Sequence, residues 1–264
     1  MNRDDAARVG VDTGAKRHLA DYDAGRPGMM FAEGVVLSVA EAYELQTAVA
    51  ELRRQRGERM IGYKVGCTSP TIRTQLGIDH SITGRLYDSE KHDSGGVLSR
   101  SEFAHLAIEG ELAVELLREP SADDFLDDGL PTCVARVIPV IELHHFVMRG
   151  DHSSAAELIA NNAIHAGFVA GPGVAAPDLS SCVPSLAIYS NDQLLEQCRG
   201  SRLIQSISSS LRWLMNIVRE RGDRLGAGQI ILTGSLPSLV RVEANFHLRV
   251  EAPPFGTVEA TFVD

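Results

Sequence analysis

The sequence predicts an α+β fold in which a mixed β-sheet closes into a roll or barrel. Three observations predict it. Apolar and polar residues alternate along 107–116, 242–250 and 258–262, the period of strands with one buried face. Long helical periodicity is confined to stretches after Ser38 and from Leu203, so helices and strands do not alternate in the rhythm of a doubly wound sheet. The 264 residues are 44% hydrophobic and 23% charged, a globular balance that supports a sizeable core and excludes a disordered or fibrous chain.

The opening stretch, residues 1–36, is polar and interrupted by Gly10, Gly14, Gly25 and Gly28, so it reads as a loosely packed extension with one short helix around Lys16–Tyr22. Residues 37–264 then form the main domain. Ser38 and Glu41 make a capping box, and Ala42, Leu45, Val49 and Leu52 follow at helical spacing until Gly57. A strand is expected over 60–65, then a short helix from Ser69-Pro70 to Gly77. In 107–116 the apolar Ile108, Leu112, Val114 and Leu116 alternate with Glu109, Glu111 and Glu115. Residues 137–143 read as a more buried strand that Pro139 assigns to an edge or a bulge. A helix over 154–162 follows. A long amphipathic helix from Leu203 to Val218 is expected to end at Gly226 and Gly228, ahead of a strand at 230–232. The chain closes on a hairpin, with Val242, Ala244, Phe246, Leu248 and Val250 inward on its first arm and Pro253-Pro254-Phe255-Gly256 at its turn.

Composition narrows the function. Lys+Arg 25 against Asp+Glu 35 gives a net charge of −10, which disfavours nucleic acid as a partner. Cys67, Cys133, Cys182 and Cys198 are scattered without a CxxC pair, which argues against a zinc ribbon or a disulfide scaffold and suits a reducing cytoplasm. No signal peptide or membrane-spanning stretch is expected. No G-x-S-x-G elbow occurs, and Gly226-Ala-Gly228 leads into a strand, the wrong context for a dinucleotide fingerprint.

The acidic residues carry the chemistry. Glu109 and Glu111 stand two apart on one strand and share a face, which is either solvated or occupied by a hard divalent cation. Glu142 ends an apolar run where an unpaired carboxylate is costly, and its addition makes a three-carboxylate site plausible. Carboxylates that close repel when the site is empty, so loss of Glu142 is expected to leave the metal-free protein at least as stable. Lys64, in Ile61-Gly-Tyr-Lys-Val-Gly-Cys67, lies on a buried strand; either burial depresses its pKa and makes it a proton-transfer group, or its ammonium reaches solvent. Asp79, after Gly77, is a partner for it or ordinary turn chemistry. His144, two residues from Glu142, either shares its face or packs as an ordinary histidine. Thr233-Gly234-Ser235 either presents donors to a carboxylate or makes a tight turn.

Six segments in order, GYKVGCTS from Gly62, QLGIDHSITGRLYD from Gln75, EGELAVEL from Glu109, PVIEL from Pro139, NNAIHAGFVAG from Asn161 and GQIILTGSL from Gly228, resemble the 2-keto-4-pentenoate hydratase and 4-oxalocrotonate decarboxylase group of the fumarylacetoacetate hydrolase superfamily. The resemblance runs from about Leu37 onward. It implies the β-roll of that superfamily's C-terminal domain with flanking helices, an Mg²⁺ or Mn²⁺ site at Glu109, Glu111 and Glu142, and proton transfer by Lys64 with Asp79. It matches Ser235 to the position after the strand that lines the substrate pocket, where Asn162 and His144 are also expected against the substrate. The implied activity is hydration of a 2-hydroxy-2,4-dienoate to a 4-hydroxy-2-oxo acid in a homo-oligomer, alone or with a sequential pathway enzyme. Alternatives are a 4-oxalocrotonate-type decarboxylase, an acylpyruvate C–C hydrolase with His144 or His145 as base, and a non-catalytic partner subunit. The chain departs from the group at Asn161-Asn162, at Leu143-His144-His145-Phe146, where an Ile-Asp-Ser-Arg-like stretch is usual, and at Ser81-Ile-Thr-Gly84.

Overall fold

A computed structural model describes residues 3–126, 129–147, 154–177, 179, 182–243 and 245–264, of which residues 3–9 by backbone alone. Ala244 therefore lies outside the described residues. The helices among them are α1 (Arg3–Asp23), α2 (Met29–Ala32), α3 (Val39–Gln55), α4 (Pro70–Leu76), α5 (Ala155–Ala160) and α6 (Ser201–Glu220). The strands are β1 (Met60–Gly66), β2 (Ile82–Tyr87), β3 (Lys91–Asp93), β4 (Gly96–Ser99), β5 (Ala107–Leu116), β6 (Val134–His144), β7 (His165–Ala170), β8 (Val174–Ala175), β9 (Ser185–Ser190), β10 (Gln193–Arg199), β11 (Ile230–Leu232), β12 (Val240–Arg241), β13 (Phe246–Glu251) and β14 (Thr257–Val263).

Two mixed sheets result. The larger has the order β2-β1-β11-β5-β6-β7-β3, with β12 beside β5 and β8 beside β6. The smaller runs β10-β9-β13-β14-β4. Parallel pairs β1/β11, β3/β7 and β4/β14 interrupt otherwise antiparallel ladders. The larger sheet curls until β2 touches β7, which gives the expected roll. Side chains from alternate positions divide between its faces. Outward, Tyr63, Ile108, Leu112, Ile141 and Ile231 join Ile188, Leu248 and Val250 of the smaller sheet and Ile207, Leu211 and Leu214 of α6 in the main core. Inward, Leu86, Ala113, Val140, Phe168 and Leu232 fill the roll around a group of charged residues.

The local chemistry explains most elements. The Ser38 hydroxyl accepts from Glu41 N and the Glu41 carboxylate accepts from Ser38 N, closing the capping box that starts α3. Pro70 opens α4, and Gly77, with φ 65°, closes it in the left-handed conformation. β5 has the expected bounds, although both of its faces are covered.

Three expectations change. First, Pro139 is on a central strand, opposite Leu112 of β5. Its carbonyl accepts from Gly171 N, beyond the end of β7. Because a residue's N–H and C=O point to the same side of a strand, the missing donor faces the gap where β6's partner changes from β7 to β8. Second, α6 stops at Glu220, well before Gly226, because Gly222 already takes a positive φ of 79°. Third, the extension is neither loose nor mostly unstructured. α1 runs 21 residues, packs on α3 and buries Ala15 and Leu19. Gly14 faces α3 there, its Cβ position lying at an ordinary packing distance of 3.5 Å from Leu45 Cδ1. The Tyr22 hydroxyl donates to Glu90 Oε1 at 2.6 Å, tying α1 to the turn after β2.

Candidate metal centre

β5 and β6 place the acidic residues in register. Glu109 is directly opposite Glu142, Glu111 faces Val140, and Ala107 faces His144, so the inward positions Glu109, Glu111, Glu142 and His144 crowd one patch. The glycine between the two β5 glutamates points outward, where a Cβ would lie 2.8 Å from Ile188 Cδ1. Gly110 thus lets the smaller sheet close on the strand that carries the carboxylates. Lys64 reaches the patch from β1, across β11. Opposite it on β2 is Gly84, where a Cβ would lie 2.9 Å from Lys64 Cγ, so the glycine leaves room for the lysine stem.

Lys64 is buried, with Nζ 3.2 Å from Glu142 Oε1 and 3.3 Å from the Ala163 carbonyl. Ala163 belongs to a turn, Asn162-Ala163-Ile164, with three successive positive φ values of 54°, 55° and 56°, a strained backbone that aims this carbonyl at the ammonium. His165 Nδ1 donates to Glu142 Oε1 at 2.6 Å. Because an ionised carboxylate only accepts, this fixes the proton on Nδ1. His144 Nε2 lies 3.3 Å from Glu109 Oε2 and 3.7 Å from Glu142 Oε2 without hydrogen-bond geometry to either.

Charge is distributed unevenly over this cluster. Burial alone would lower the Lys64 pKa, but Glu142, Glu109 and Glu111 outweigh it and raise it, so the lysine is an ammonium and not the depressed base that burial suggested. Burial alone would likewise raise Glu142, yet the Lys64 charge and the neighbouring histidines hold its carboxyl below the usual range. Glu111 goes the other way. Burial, reinforced by the charges of Glu142 and Glu109, pushes its carboxyl well above the ordinary value.

The residues fit a divalent cation. Glu142 Oε2, both carboxyl oxygens of Glu111 and both nitrogens of His144 are buried without a hydrogen-bond partner, so the carboxylate oxygens and one imidazole nitrogen have lone pairs that a cation can use. One ligand atom each from Glu109, Glu142 and His144 fall within 4.8 Å of one another.

Lys64, Glu109 and His144 of the cluster line a cavity of about 500 Å³, together with Cys67 and Ser235. Ser235 is held there by its hydroxyl, within reach of the Gly110 and Pro237 carbonyls at 3.1 and 2.9 Å. Two expected residues are elsewhere. Asp79 is 94% exposed and pairs with its neighbour His80 at 3.7 Å, because the loop after α4 turns it to solvent; Lys64 pairs with Glu142 instead. Asn162 is committed to the fold, accepting from Arg85 N at 2.7 Å and donating to Arg85 O at 2.8 Å. Of the two candidate bases, only His144 lines the cavity. His145 faces Tyr22 and Phe103 and accepts from Ala104 N, and burial with the adjacent His165 and His144 lowers it to about 4. His165 gave no signal by spacing, since an irregularity between Leu143 and His144 in the β6/β7 ladder decides what it faces.

Fold and site together define an enzyme-type cavity in a curled mixed sheet, lined in part by a carboxylate–imidazole cluster suited to a dication. No family model matches the chain. It is 29% identical over 226 residues to a 2-keto-4-pentenoate hydratase of Burkholderia vietnamiensis, covering 84% of this chain and 86% of that one. It is 28% identical over 229 residues to a 4-oxalocrotonate decarboxylase of Pseudomonas putida, covering 86% of each. The structure of 4-oxalocrotonate decarboxylase from Pseudomonas putida G7 complexed with magnesium and adipate superposes with a TM-score of 0.83 at 25% identity, covering 97% of this chain and 98% of that one. In sequence the chain is similar to 2-keto-4-pentenoate hydratases and 4-oxalocrotonate decarboxylases, and it shares its fold with proteins of the fumarylacetoacetate hydrolase family. Among the described residues no helix is long and apolar enough to cross a membrane.

Proposed function

We propose that the chain is a divalent-metal-dependent hydratase that adds water to a 2-hydroxy-2,4-dienoate and yields a 4-hydroxy-2-oxo acid. The observation that carries the reading is a group of three carboxylates and one lysine, with Glu111, Glu142 and Lys64 buried and Glu109 partly so, of which Lys64 and Glu109 line a cavity large enough for a short dienoic acid. Glu109, Glu111 and Glu142 would hold Mg²⁺ or Mn²⁺. Bound there, the cation supplies a Lewis acid for the carboxylate and the adjacent 2-oxygen of the substrate. Lys64, as an ammonium, donates a proton to the far end of the conjugated dienol and regains one as the enol hydroxyl becomes a ketone. Water then adds to the enone. The Ala163 carbonyl and Glu142 hold Nζ in place for the transfer.

The cavity wall favours hydration over decarboxylation. A second cationic contact at its far end would suit a dicarboxylate such as 4-oxalocrotonate. Among the described lining residues Lys64 is the one cation, and the rest of the wall carries Ile72, Ile82, Leu158, Leu236 and Leu239 with scattered hydroxyls. Incubation with Mn²⁺ and a panel of 2-hydroxydienoates, with and without a terminal carboxylate, tests this. The expected result is a hydrated product from the monocarboxylates that disappears with chelator. Release of CO₂ from the dicarboxylate alone would make the chain a decarboxylase, and no turnover of any panel member would leave only a partner-subunit role. Assembly as a homo-oligomer, alone or with a sequential enzyme, belongs to the same proposal and is read by sedimentation.

A further inference from the structure

Just after the third carboxylate the chain reads Leu143-His144-His145-Phe146, and the first of these histidines lies inside the acidic cluster. His144 is 1% exposed, on the inward face of β6 two residues beyond Glu142. Its Nε2 approaches Glu109 Oε2 at 3.3 Å and Glu142 Oε2 at 3.7 Å, yet neither ring nitrogen makes a hydrogen bond. A neutral imidazole has a lone pair to give.

We infer that His144 is a nitrogen ligand of the same centre, so that the site favours a dication that accepts imidazole, Mn²⁺ among them, over Mg²⁺. The inference rests on the reading of Glu109 and Glu142 as ligands and adds a fourth donor of a different kind. Nitrogen matters because Mg²⁺ is hard and takes oxygen almost to the exclusion of nitrogen, whereas imidazole suits the later divalent ions. The β6 backbone fixes the donor. A strand residue two places from a carboxylate ligand necessarily shares its face, so His144 needs no loop movement to reach the ion.

Electron spin-echo measurement of ¹⁴N coupling to Mn²⁺ in the wild-type protein tests the contact without reference to turnover. A directly bound imidazole is expected to give a ¹⁴N coupling that is lost in His144→Ala and kept in His165→Asn. Competition titration should show Mn²⁺ affinity falling about ten- to a hundredfold in His144→Ala, with Mg²⁺ affinity changed less than about threefold. If Mn²⁺ binds and the wild type shows no nitrogen coupling, His144 is not a ligand, and that result stands even where His144→Ala fails to fold. Coupling that persists in His144→Ala, or equal losses for both ions, overturns the inference as well. If wild-type protein binds no Mn²⁺ at all, the carboxylate centre itself is wrong and the inference falls with it.

Discussion

Lys64 Nζ lies 3.2 Å from Glu142 Oε1 with the two side chains 4% and 1% exposed, so a buried ion pair joins β1 to β6 across the roll. Removing one member of such a pair strands the other in a low-dielectric interior. Lys64→Ala is therefore expected to lower the stability of the metal-free protein by about 3–5 kcal/mol. Turnover is expected to fall by about 10²–10⁴, because the proton donor is gone while the carboxylates remain. Urea unfolding with chelator reads the first effect and steady-state rates with saturating Mn²⁺ the second. Wild-type turnover in a folded variant would remove Lys64 from the chemistry.

Glu142 and Glu111 are expected to part company when each is changed to Gln. Repulsion between carboxylates suggested that loss of Glu142 leaves the empty site at least as stable, but Lys64 and His165 already hold this residue ionised. The repelled member is Glu111, whose carboxyl burial and the charges of Glu142 and Glu109 push up. With chelator present, Glu142→Gln should lower the melting temperature and Glu111→Gln should leave it level or raise it. Both should weaken Mn²⁺ binding in calorimetric titration. Unchanged Mn²⁺ affinity in either variant would strike that residue from the ligand set.

Period and capping made the scaffold of the site legible in the sequence. The alternation along β5 and the i, i+2 relation of Glu142 and His144 set which side chains share the inner face, because these depend only on neighbours in the chain. What the sequence did not disclose depends on backbone shape far from the residue concerned. Asp79 follows a helix stop, and turn chemistry says nothing of which way a loop faces. Asn162 reads as a polar group near a pocket, but a left-handed turn bends its amide onto the Arg85 backbone. His165 faces Glu142 only through the irregular β6/β7 register. α1 escaped because its glycines resemble breaks until Leu45 is found packed against one of them.

That helix supplies a prediction about the first 36 residues, which we propose form one folding unit with the rest of the chain. The Tyr22 hydroxyl donates to Glu90 Oε1, which also accepts from Arg53 Nη2 at 2.6 Å, and Arg53 stacks over the Tyr87 ring 3.6 Å from its centroid. Tyr22→Phe removes one donor from this part-buried network and is expected to cost about 1–2 kcal/mol of global stability. The readout is the urea midpoint followed at Trp213, which lies on α6, well away from α1 in the chain. An unchanged midpoint there, with a separate early transition by far-ultraviolet dichroism, would mean that α1 unfolds on its own.

Asp124 gives the pH dependence. Its side chain is fully buried next to the turn that opens at Ser121, and it accepts from Arg118, Thr132 and both the backbone and hydroxyl of Ser121. Burial alone would raise the carboxyl, but these donors outweigh it and hold it well below the usual aspartate range. A carboxyl lowered by folding contributes stability in full above its unfolded value of about 3.9, and that contribution is lost as the pH falls from there through the folded value. Asp124→Asn is thus expected to be less stable than wild type by about 1–3 kcal/mol at pH 7. The difference should persist down to about pH 5 and shrink steadily below about pH 4 as wild type takes up the proton that the variant never binds. Paired urea titrations from neutral to acid pH, with chelator throughout so that the metal centre does not contribute, give the two curves. A gap that stays constant into acid would show that Asp124 stabilises the turn by shape and not by charge.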